Sequence, residues 1–419
     1  MAFLRLRAIE HELGPYFAEL RGLANRRALQ RSALWRRIAG EVARVTGAVE
    51  QGDQEACLRG GGGRVRVVAW NVQRGARFEA LLGALRDDPV LAEADLLLLS
   101  EVDCGLGRSA NRNVARDLAA ALGMSYAFAP SYLTLEDDWG ENRGGVANTL
   151  ALAGTAILSR APILAAENVD LPELRDKFSS SERRLGKKRA LLVEVRLPAG
   201  PLLVGACHLD ASASPLQRTL QLGALLDRVD AWVQLRVDAR ADARSEAPGD
   251  GGGGECPDDR RPRAARRPAI IGGDFNSSTH DLSSPLATVR DALRKLLRRG
   301  LRRTLDAYMR PDEADERPLF QLLAARGFAL DGFNDRSRGT YRYDFNDPYA
   351  LQKLRRAGGS PLVWLVKRLV RRWNACLPAR LDWFAGRAVR AVSATVVDPR
   401  DGAGRAASDH AAVVCDAVL

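Results

Sequence analysis

Polar and ionisable residues recur in this sequence at the ends of strand-like runs. Each of them follows or precedes a short apolar stretch at the point where a β-strand would end. Rigid strands fix the position of such groups, and the adjoining loops can admit a substrate. The residues are Asn71, Glu101, His208, Asp274, Asn276, Asp382, Asp409 and His410.

The oxygen donors in this set suit a hard divalent cation. Glu101, Asp409 and Asn71 offer carboxylate and amide oxygens, which Mg²⁺ prefers as ligands, with Mn²⁺ as the alternative. Such an ion neutralises a phosphate and stabilises charge on the leaving oxygen of a phosphoester. We therefore expect these three residues to be metal ligands.

The remaining residues provide acid and base groups. Asp274, with Asn276 beside it, can orient and deprotonate an attacking water. His410 paired with the Asp382 carboxylate can polarise a phosphoryl oxygen or protonate a leaving group, because the carboxylate fixes the histidine tautomer and raises its pKa. His208 is a further catalytic candidate. Two of the four histidines of the chain, which are His11, His208, His280 and His410, thus fall among the predicted site residues.

Each motif taken alone also has an ordinary structural interpretation. An asparagine such as Asn71 after a strand is usually a turn residue, and Gly273-Asp274 is common in turns. A single histidine such as His208 is more often a hydrogen-bonded structural residue than an acid. The prediction of phosphoester hydrolysis therefore depends on the combination and its order along the chain.

The ordered set resembles the endonuclease/exonuclease/phosphatase superfamily, which includes DNase I, apurinic endonucleases, neutral sphingomyelinases and inositol polyphosphate 5-phosphatases. The resemblance covers Arg64 to the C-terminus and implies a four-layered sandwich, with two β-sheets face to face and helices outside. Gly-Asp-Phe-Asn followed by Ser-Asp-His is its most specific part. The matching motifs are Ala69-Trp70-Asn71-Val72, Leu99-Ser100-Glu101-Val102, Gly154-Thr155-Ala156-Ile157-Leu158-Ser159-Arg160, Cys207-His208-Leu209, Gly273-Asp274-Phe275-Asn276, Arg380-Leu381-Asp382-Trp383-Phe384 and Ser408-Asp409-His410.

The resemblance also implies individual roles. Glu101 would be the principal metal ligand, supported by Asn71, and Asp409 would line the metal site. Asp274 and Asn276 would position and activate water.

Two further groups would act on the substrate side. Asp382 would orient His410, and His208 matches the phosphate-contacting histidine of the DNase I, sphingomyelinase and phosphatase branches. Apurinic endonucleases generally lack that histidine, so their branch is disfavoured. The residues that we expect to bind substrate are Gln73, Asn276 and His208.

The chain departs from the family pattern at two positions. Gln73 stands where apurinic endonucleases carry aspartate, although other branches accept glutamine there. Thr155 replaces the asparagine that commonly precedes Ala-Ile-Leu-Ser. Neither change removes a catalytic group, but both bear on the number of metals and on the fit of the substrate.

Alternating apolar runs and helical periodicities predict an α/β (α+β) fold with many strands. The predicted helices include Val114–Leu122 and Pro215–Val233. The predicted strands are Arg64–Trp70, Asp95–Leu99, Gly154–Leu158, Ala190–Leu197, Leu202–Cys207, Ala269–Gly272, Ala388–Val397 and Ala411–Val418.

The chain divides into an extension and a catalytic domain. Residues 1–60 form a predicted helical N-terminal extension, separated by a glycine run from a domain over 64–419. Residues 239–268 are rich in Gly, Pro, Arg and Asp, which predicts a disordered loop. A basic helical insertion is predicted at about 285–378.

The charge of the chain favours anionic partners. It has 63 Lys+Arg against 52 Asp+Glu, a formal net charge of +11, which attracts polyanions. Segment 362–373 combines an apolar face with basic residues, and three interpretations stay open. It could grip nucleic acid, lie on an anionic membrane surface, or pack on its own domain. The alternative to an enzyme is a catalytically inactive nucleic-acid- or membrane-binding protein with the same fold.

Cysteine usage and the N-terminal sequence bear on location. The six cysteines form no Cys-x-x-Cys pair, which predicts free thiols without disulfides in a reducing compartment. Charged residues interrupt any signal-peptide core near the N-terminus. We therefore expect a cytoplasmic protein, while the sequence does not indicate its oligomeric state.

Overall fold

The computed structural model of the chain describes most of its residues as two β-sheets with covering helices. The helices are α1 (Phe17–Gly22), α2 (Arg26–Arg31), α3 (Ala33–Gly47), α4 (Phe78–Asp87), α5 (Val114–Leu122), α6 (Pro215–Ser245), α7 (Pro285–Asp306) and α8 (Arg317–Ala325). The strands are β1 (Arg5–Arg7), β2 (Glu50–Asp53), β3 (Arg64–Arg74), β4 (Leu96–Cys104), β5 (Ser125–Thr134), β6 (Leu152–Ser159), β7 (Ile163–Asp170), β8 (Arg184–Gly186), β9 (Arg189–Leu197), β10 (Gly200–His208), β11 (Ala269–Asp274), β12 (Tyr341–Asp344), β13 (Cys376–Ala379), β14 (Asp382–Arg387), β15 (Arg390–Val397) and β16 (Ala412–Val418). The described residues are 3–55, 58, 63–137, 145–180, 182–245, 267–281, 285–344, 351, 359–360, 363–364, 367–368, 371 and 376–419.

The larger sheet has the strand order β1-β2-β5-β6-β4-β3-β16-β15, and β8 pairs with β5 at its side. Strands β3 and β4 are parallel, with Asn71 opposite Ser100. Their carboxyl ends therefore meet at one edge of the sheet, as a site built on strand ends requires.

The smaller sheet has the strand order β14-β11-β10-β9-β7. Here β10 runs parallel to β11, and β14 runs antiparallel to it. The register places His208 opposite Asp274 and Asp274 opposite Asp382. Three predicted site residues thus lie side by side across neighbouring strands.

The two sheets pack face to face because their strands are apolar on both sides. On β4, Leu96 and Leu98 lie in the core between the sheets, together with Val204 and Ile270 of the smaller sheet. Leu97 and Leu99 point the other way, into the core beneath α3, α4 and α5. This alternation follows from the two-residue period of a strand. A third core lies between the smaller sheet and α6 and α8.

The resulting layers are helices, sheet, sheet and helices. The predicted α/β fold class, with two face-to-face sheets flanked by helices, is confirmed. Within the part of the chain that the structure describes, no helix has the length and apolar character needed to cross a membrane.

The N-terminal region contributes strands as well as helices. β1 pairs with β2, and β2 pairs with β5 of the larger sheet. Buried Glu50 on β2 accepts hydrogen bonds from the Ile9 amide at 3.0 Å, Asn113 Nδ2 at 2.5 Å and Tyr126 Oη at 2.6 Å. One carboxylate thus ties this region to α5 and β5. The predicted helical extension over residues 1–60 is therefore wrong at Leu6, which lies on β1 and is 48% exposed.

The two predicted interruptions fall partly outside the described residues. α6 continues to Ser245, so the first residues of the predicted loop at 239–268 are helical, and 246–266 are not described. The insertion at about 285–378 contains α7, α8 and most of the two-stranded antiparallel sheet of β12 and β13. Most of segment 362–373 lies outside the described residues.

Candidate active site

Paired irregularities in β3 and β4 shape the first side of the site. The register shifts between Asn71 and Arg74 on β3, and between Leu99 and Val102 on β4. Gln73, Arg74 and Glu101 adopt positive φ angles of 46°, 69° and 53°. Non-glycine residues adopt this conformation at a cost, and bulges re-aim side chains at sheet edges. These bulges turn Glu101 and Arg74 out of the regular strand alternation.

A glycine allows the close approach of strands on the second side of the site. Gly273 has a φ of +132°, and a Cβ atom there would lie 2.1 Å from the Cys207 carbonyl oxygen. Only glycine fits at this spacing. The first residue of the Gly-Asp-Phe-Asn motif therefore brings β11 against β10 and sets Asp274 beside His208.

Asp274 is the residue on which the other groups converge. Its Oδ2 atom accepts a hydrogen bond from Asn71 Nδ2 at 3.1 Å, and it lies 3.6 Å from His208 Nε2 and 3.9 Å from His410 Nε2. Its Oδ1 accepts a hydrogen bond from the Asn276 amide at 2.8 Å. Burial and the neighbouring Asp382 carboxylate raise the pKa of Asp274, although His410 and His208 oppose them.

His410 and Asp382 form a buried pair. His410 Nδ1 lies 2.8 Å from Asp382 Oδ2. Burial opposes protonation of the ring, but Asp382 and Asp274 raise the pKa of His410 well above its usual value. The imidazolium that is thereby favoured at neutral pH donates to Asp382 and turns its Nε2 proton toward Asp274. A proton is thus available on the side of His410 that faces Asp274.

Several contacts hold this pair in place. Trp70 Nε1 donates to the His410 carbonyl at 2.9 Å, and Ser408 Oγ donates to the Asn71 carbonyl at 2.6 Å. Thr340 Oγ1 accepts hydrogen bonds from the amides of Leu381 and Asp382 at 3.0 and 3.1 Å. Ser-Asp-His is therefore fixed to β3, whereas the Asp382 motif is fixed by the insertion.

The three predicted metal ligands lie on the larger-sheet side. Asn71 lowers the pKa of Glu101 slightly, which places the two side chains near each other. Burial is the main cause that raises the pKa of Asp409, and the Glu101 charge adds to it. Burial also works against ionisation of Glu101, yet His208, Arg74 and His410 lower the pKa of this carboxyl to about 2. Glu101 is thus an ionised oxygen donor, and the set matches the preference of a hard cation.

A second group of ligand atoms lies nearby. Asp274, Asp382 and His410 each offer an atom within 4.8 Å of the others, which is close enough to hold a metal ion. In the structure, however, His410 and Asp382 hydrogen-bond to each other directly. A cation there would have to replace the proton between them. These three residues can therefore transfer protons as they stand, or hold a cation if that proton is displaced.

His208 differs from His410 in charge. Burial and the nearby Lys188 ammonium lower the pKa of His208 to about 4, against the attraction of Asp274 and Glu101. It is therefore neutral at neutral pH, so that Arg74 and the His410 imidazolium, rather than His208, then stabilise the Glu101 charge. The two site histidines thus differ in protonation state because the close Asp382 carboxylate outweighs burial at His410, whereas burial dominates at His208.

The remaining predictions are met unevenly. Asn276 joins the site and donates from Nδ2 to the Leu209 carbonyl at 2.9 Å. Gln73 joins through its backbone amide, which donates to Asn71 Oδ1 at 3.1 Å. Asp382 precedes the predicted strand, now β15, but it is itself the first residue of β14, which the prediction did not include and whose pairing places Asp382 opposite Asp274.

Sequence reasoning missed four residues that border the site: Arg74, Lys188, Thr340 and Tyr341. The Tyr341 ring lies 4.7 Å from the His410 ring, and Tyr341 forms an isolated β-bridge with His410. The alternation of Tyr341 and Tyr343 is a strand signal that could have located β12. Nothing in the sequence alone indicates that β12 reaches His410.

Several solved structures align with most of the length of this chain. A solved endonuclease/exonuclease/phosphatase from Beutenbergia cavernae is 17% identical, covers 85% of this chain and 72% of its own, and has a TM-score of 0.48. D. rerio TDP2 complexed with a single-strand DNA product is 15% identical, covers 85% of this chain and 100% of its own, and has a TM-score of 0.41. The human Nocturnin catalytic domain with bound sulfate is 16% identical, covers 85% of this chain and 93% of its own, and has a TM-score of 0.42. No curated protein matches the sequence.

A family model decides the membership of the chain. The model described as the Endonuclease/Exonuclease/phosphatase family matches residues 68–410, which include every motif from Asn71 to His410. This range is well over half of the 419 residues. The chain belongs to the endonuclease/exonuclease/phosphatase family.

Proposed function

We propose that this protein is a divalent-metal-dependent phosphoester hydrolase, with phosphodiesters as its first candidate substrates. The supporting observation is the convergence of Asn71, His208 and His410 within 3.9 Å of one carboxylate oxygen of Asp274. A carboxylate so surrounded can accept a proton from water while a protonated histidine stands beside it. Packing alone does not require a buried acid and a buried histidine of raised pKa in one cluster.

Glu101, Asn71 and Asp409 would hold the cation, Mg²⁺ or alternatively Mn²⁺. When bound, it would supply charge neutralisation to the scissile phosphate and its leaving oxygen. The donor set fits such an ion because it consists of carboxylate and amide oxygens. Membership of the family supports the same assignment.

The side chains of this protein would divide the remaining work. Asp274 would orient a water and accept its proton, with its own position fixed by the amide of Asn276. His410, held by Asp382, would donate a hydrogen bond or a proton to the phosphate. Neutral His208 would contact a phosphoryl oxygen with little change of charge.

The substrate class is either nucleic acid or a phospholipid or inositol phosphate. All share the phosphoester that the site would recognise, and the net charge of +11 favours any of them. The insertion borders the site through Thr340 and Tyr341, so its residues would contact the rest of the substrate. A non-catalytic binding protein of the same fold is the competing proposal.

A substrate panel tests this proposal. Wild-type protein would be incubated with plasmid DNA, single-stranded DNA, RNA, bis(p-nitrophenyl) phosphate, sphingomyelin and inositol phosphates, each with Mg²⁺ and with EDTA. We expect turnover of the chromogenic diester and of one natural class, in Mg²⁺ only. Metal-independent turnover, or binding without turnover of any phosphoester, would favour the competing proposal or a different chemistry.

A further inference from the structure

A cavity opens beside Glu101 and His208, on the side of the site away from His410. It encloses about 70 Å³, roughly twice the ~30 Å³ that one water molecule occupies in the liquid. Its walls include the hydroxyl-bearing residues Ser131, Tyr132 and Thr155. Thr155 is one of the two positions at which the sequence departs from the family pattern. One residue of the cavity wall thus departs from the common family motif.

Two arginines of the cavity wall are already neutralised. Arg108 hydrogen-bonds to Asp103 at 2.7 and 2.9 Å and to Glu182 at 2.5 Å. Arg184 forms an ion pair with the same Glu182 carboxylate. Of these four residues, Arg108, Asp103 and Glu182 are buried and Arg184 is partly buried. Together they carry two positive and two negative charges. They form the frame of the cavity and leave no net charge to attract a ligand.

Two further cations remain in the cavity wall. Arg74 Nε lies 3.9 Å from Glu101, its nearest carboxylate partner, and Glu101 is assigned to the metal. Lys188 forms no ion pair with any residue that the structure describes. Burial lowers the pKa of Lys188 to about 8, with Lys177 adding to the effect and Asp210 opposing it, so the ammonium is still mainly charged at neutral pH. A partly desolvated cation without a partner attracts an anion strongly.

The contacts of its neighbours distinguish Lys188 from the rest of this basic run. Lys187 and Arg189 both form ion pairs with Asp170 on β7. Lys188, which lies between them in the connection from β8 to β9, lines the cavity and has no ion-pair partner among the described residues. Lys187 does not line the cavity, which makes it a matched control.

We propose that this cavity binds a second phosphate group of the substrate, held by Lys188 and Arg74 next to the scissile phosphate. This inference rests on the proposed function, and it names the preferred substrate as one that carries a phosphomonoester near the bond to be cleaved. A terminal phosphate of a nucleotide chain and a second phosphate of an inositol share this chemistry. Lys188 is a specificity residue in this scheme and takes no part in bond cleavage.

Matched substrate pairs test the proposal. The nucleotide pair is the p-nitrophenyl ester of thymidine 3′-phosphate with and without a 5′-phosphate. The inositol pair is an inositol bisphosphate and the corresponding monophosphate. Both would be assayed with wild-type protein and with Lys188→Met, Lys188→Arg and Lys187→Met, and KM and kcat would be measured separately.

We expect Lys188→Met to raise KM for the bisphosphorylated member of one pair about 10- to 100-fold, the range that loss of one charge-assisted contact produces. Its KM for the singly phosphorylated member should change less than about threefold, because that contact is absent there. Both kcat values should change equally little, because burial, the larger cause, still keeps the pKa of His208 low without Lys188. Lys188→Arg should retain part of the preference, and Lys187→Met should match wild type. The pair that shows the effect identifies the source of the phosphate.

An equal rise in KM for both members of a pair would overturn the inference, since Lys188 would then bind the scissile phosphate. Unchanged KM values in Lys188→Met would overturn it as well. If the wild-type protein turns over none of these substrates, the proposed function fails separately. In that case the cavity is tested by calorimetry, which compares the binding of methylenebisphosphonate with that of methylphosphonate. Weaker binding of the bisphosphonate by Lys188→Met alone would support a second phosphate site. Equal binding by all variants would overturn that inference.

Discussion

Replacing Asp274 with asparagine is expected to lower kcat for phosphodiester hydrolysis by about 10³- to 10⁴-fold, near the upper range for the loss of a general base. Asparagine keeps the size of the side chain but cannot accept a proton from water. The effect should fall on kcat in assays with saturating Mg²⁺. The thermal midpoint should change by only a few degrees, because the amide can still accept the hydrogen bond from Asn276.

Two further variants sharpen this prediction. His410→Asn should also reduce kcat strongly, and the double variant should be little slower than the slower single variant, because groups that act as a unit give non-additive losses. Asp398→Asn is the control, since Asp398 pairs with Arg342 and Arg400 away from the site. An Asp274→Asn enzyme within tenfold of wild type would remove Asp274 from the mechanism.

Replacing Glu182 with glutamine is expected to destabilise the fold by about 3–5 kcal/mol, the usual cost of breaking a buried ion pair from one side. The Glu182 side chain is 6% exposed and holds both Arg108 and Arg184. Glutamine would leave the buried Arg108 and the partly buried Arg184 guanidinium groups with only the Asp103 carboxylate beside them. Chemical denaturation at neutral pH measures the change in the free energy of unfolding.

The same carboxylate gives a pH dependence of stability. Burial raises the pKa of Glu182, but Arg184 and Arg108 outweigh it and bring the value to about 2. Because the folded-state pKa lies below the ordinary value, the contribution is fully present above about pH 4.5 and is lost as the pH falls toward 2. Glu182→Gln should show a shallower decrease over this window. The exposed Glu79→Gln, 79% accessible, should leave both the stability and its pH dependence within about 0.5 kcal/mol of wild type, and an equally small effect of Glu182→Gln would contradict the prediction.

The parts of the fold that sequence reasoning located are those with local signals. Apolar runs such as Leu96–Leu99 predict buried strands, and the helix Val114–Leu122 was predicted with the bounds that the structure has. The family motifs located the chemical groups because each lies within a few residues of a strand end. Local patterns of this kind need no knowledge of the partner strand.

What the sequence did not reveal depends on partners that are distant in the chain. The three-residue strand at Arg5–Arg7 is too short for a periodic signal and exists because β2 pairs with it. Glu101 and Arg74 owe their direction to bulges, which no local pattern indicates. Lys188 belongs to a basic run that reads as solvated surface, and only the position of Asp170 shows that its neighbours point elsewhere.

The central claim is that Glu101 holds a divalent cation that the hydrolysis requires. It is tested most directly by the rate of bis(p-nitrophenyl) phosphate hydrolysis as Mg²⁺ is titrated into EDTA-stripped wild-type protein and Glu101→Gln. We predict no turnover before Mg²⁺ is added, saturable recovery in the wild type, and a half-saturating concentration at least about tenfold higher in the variant, as loss of a ligand or its supporting shell produces. Turnover that persists without a divalent cation, or identical titration curves for the two proteins, would contradict the claim.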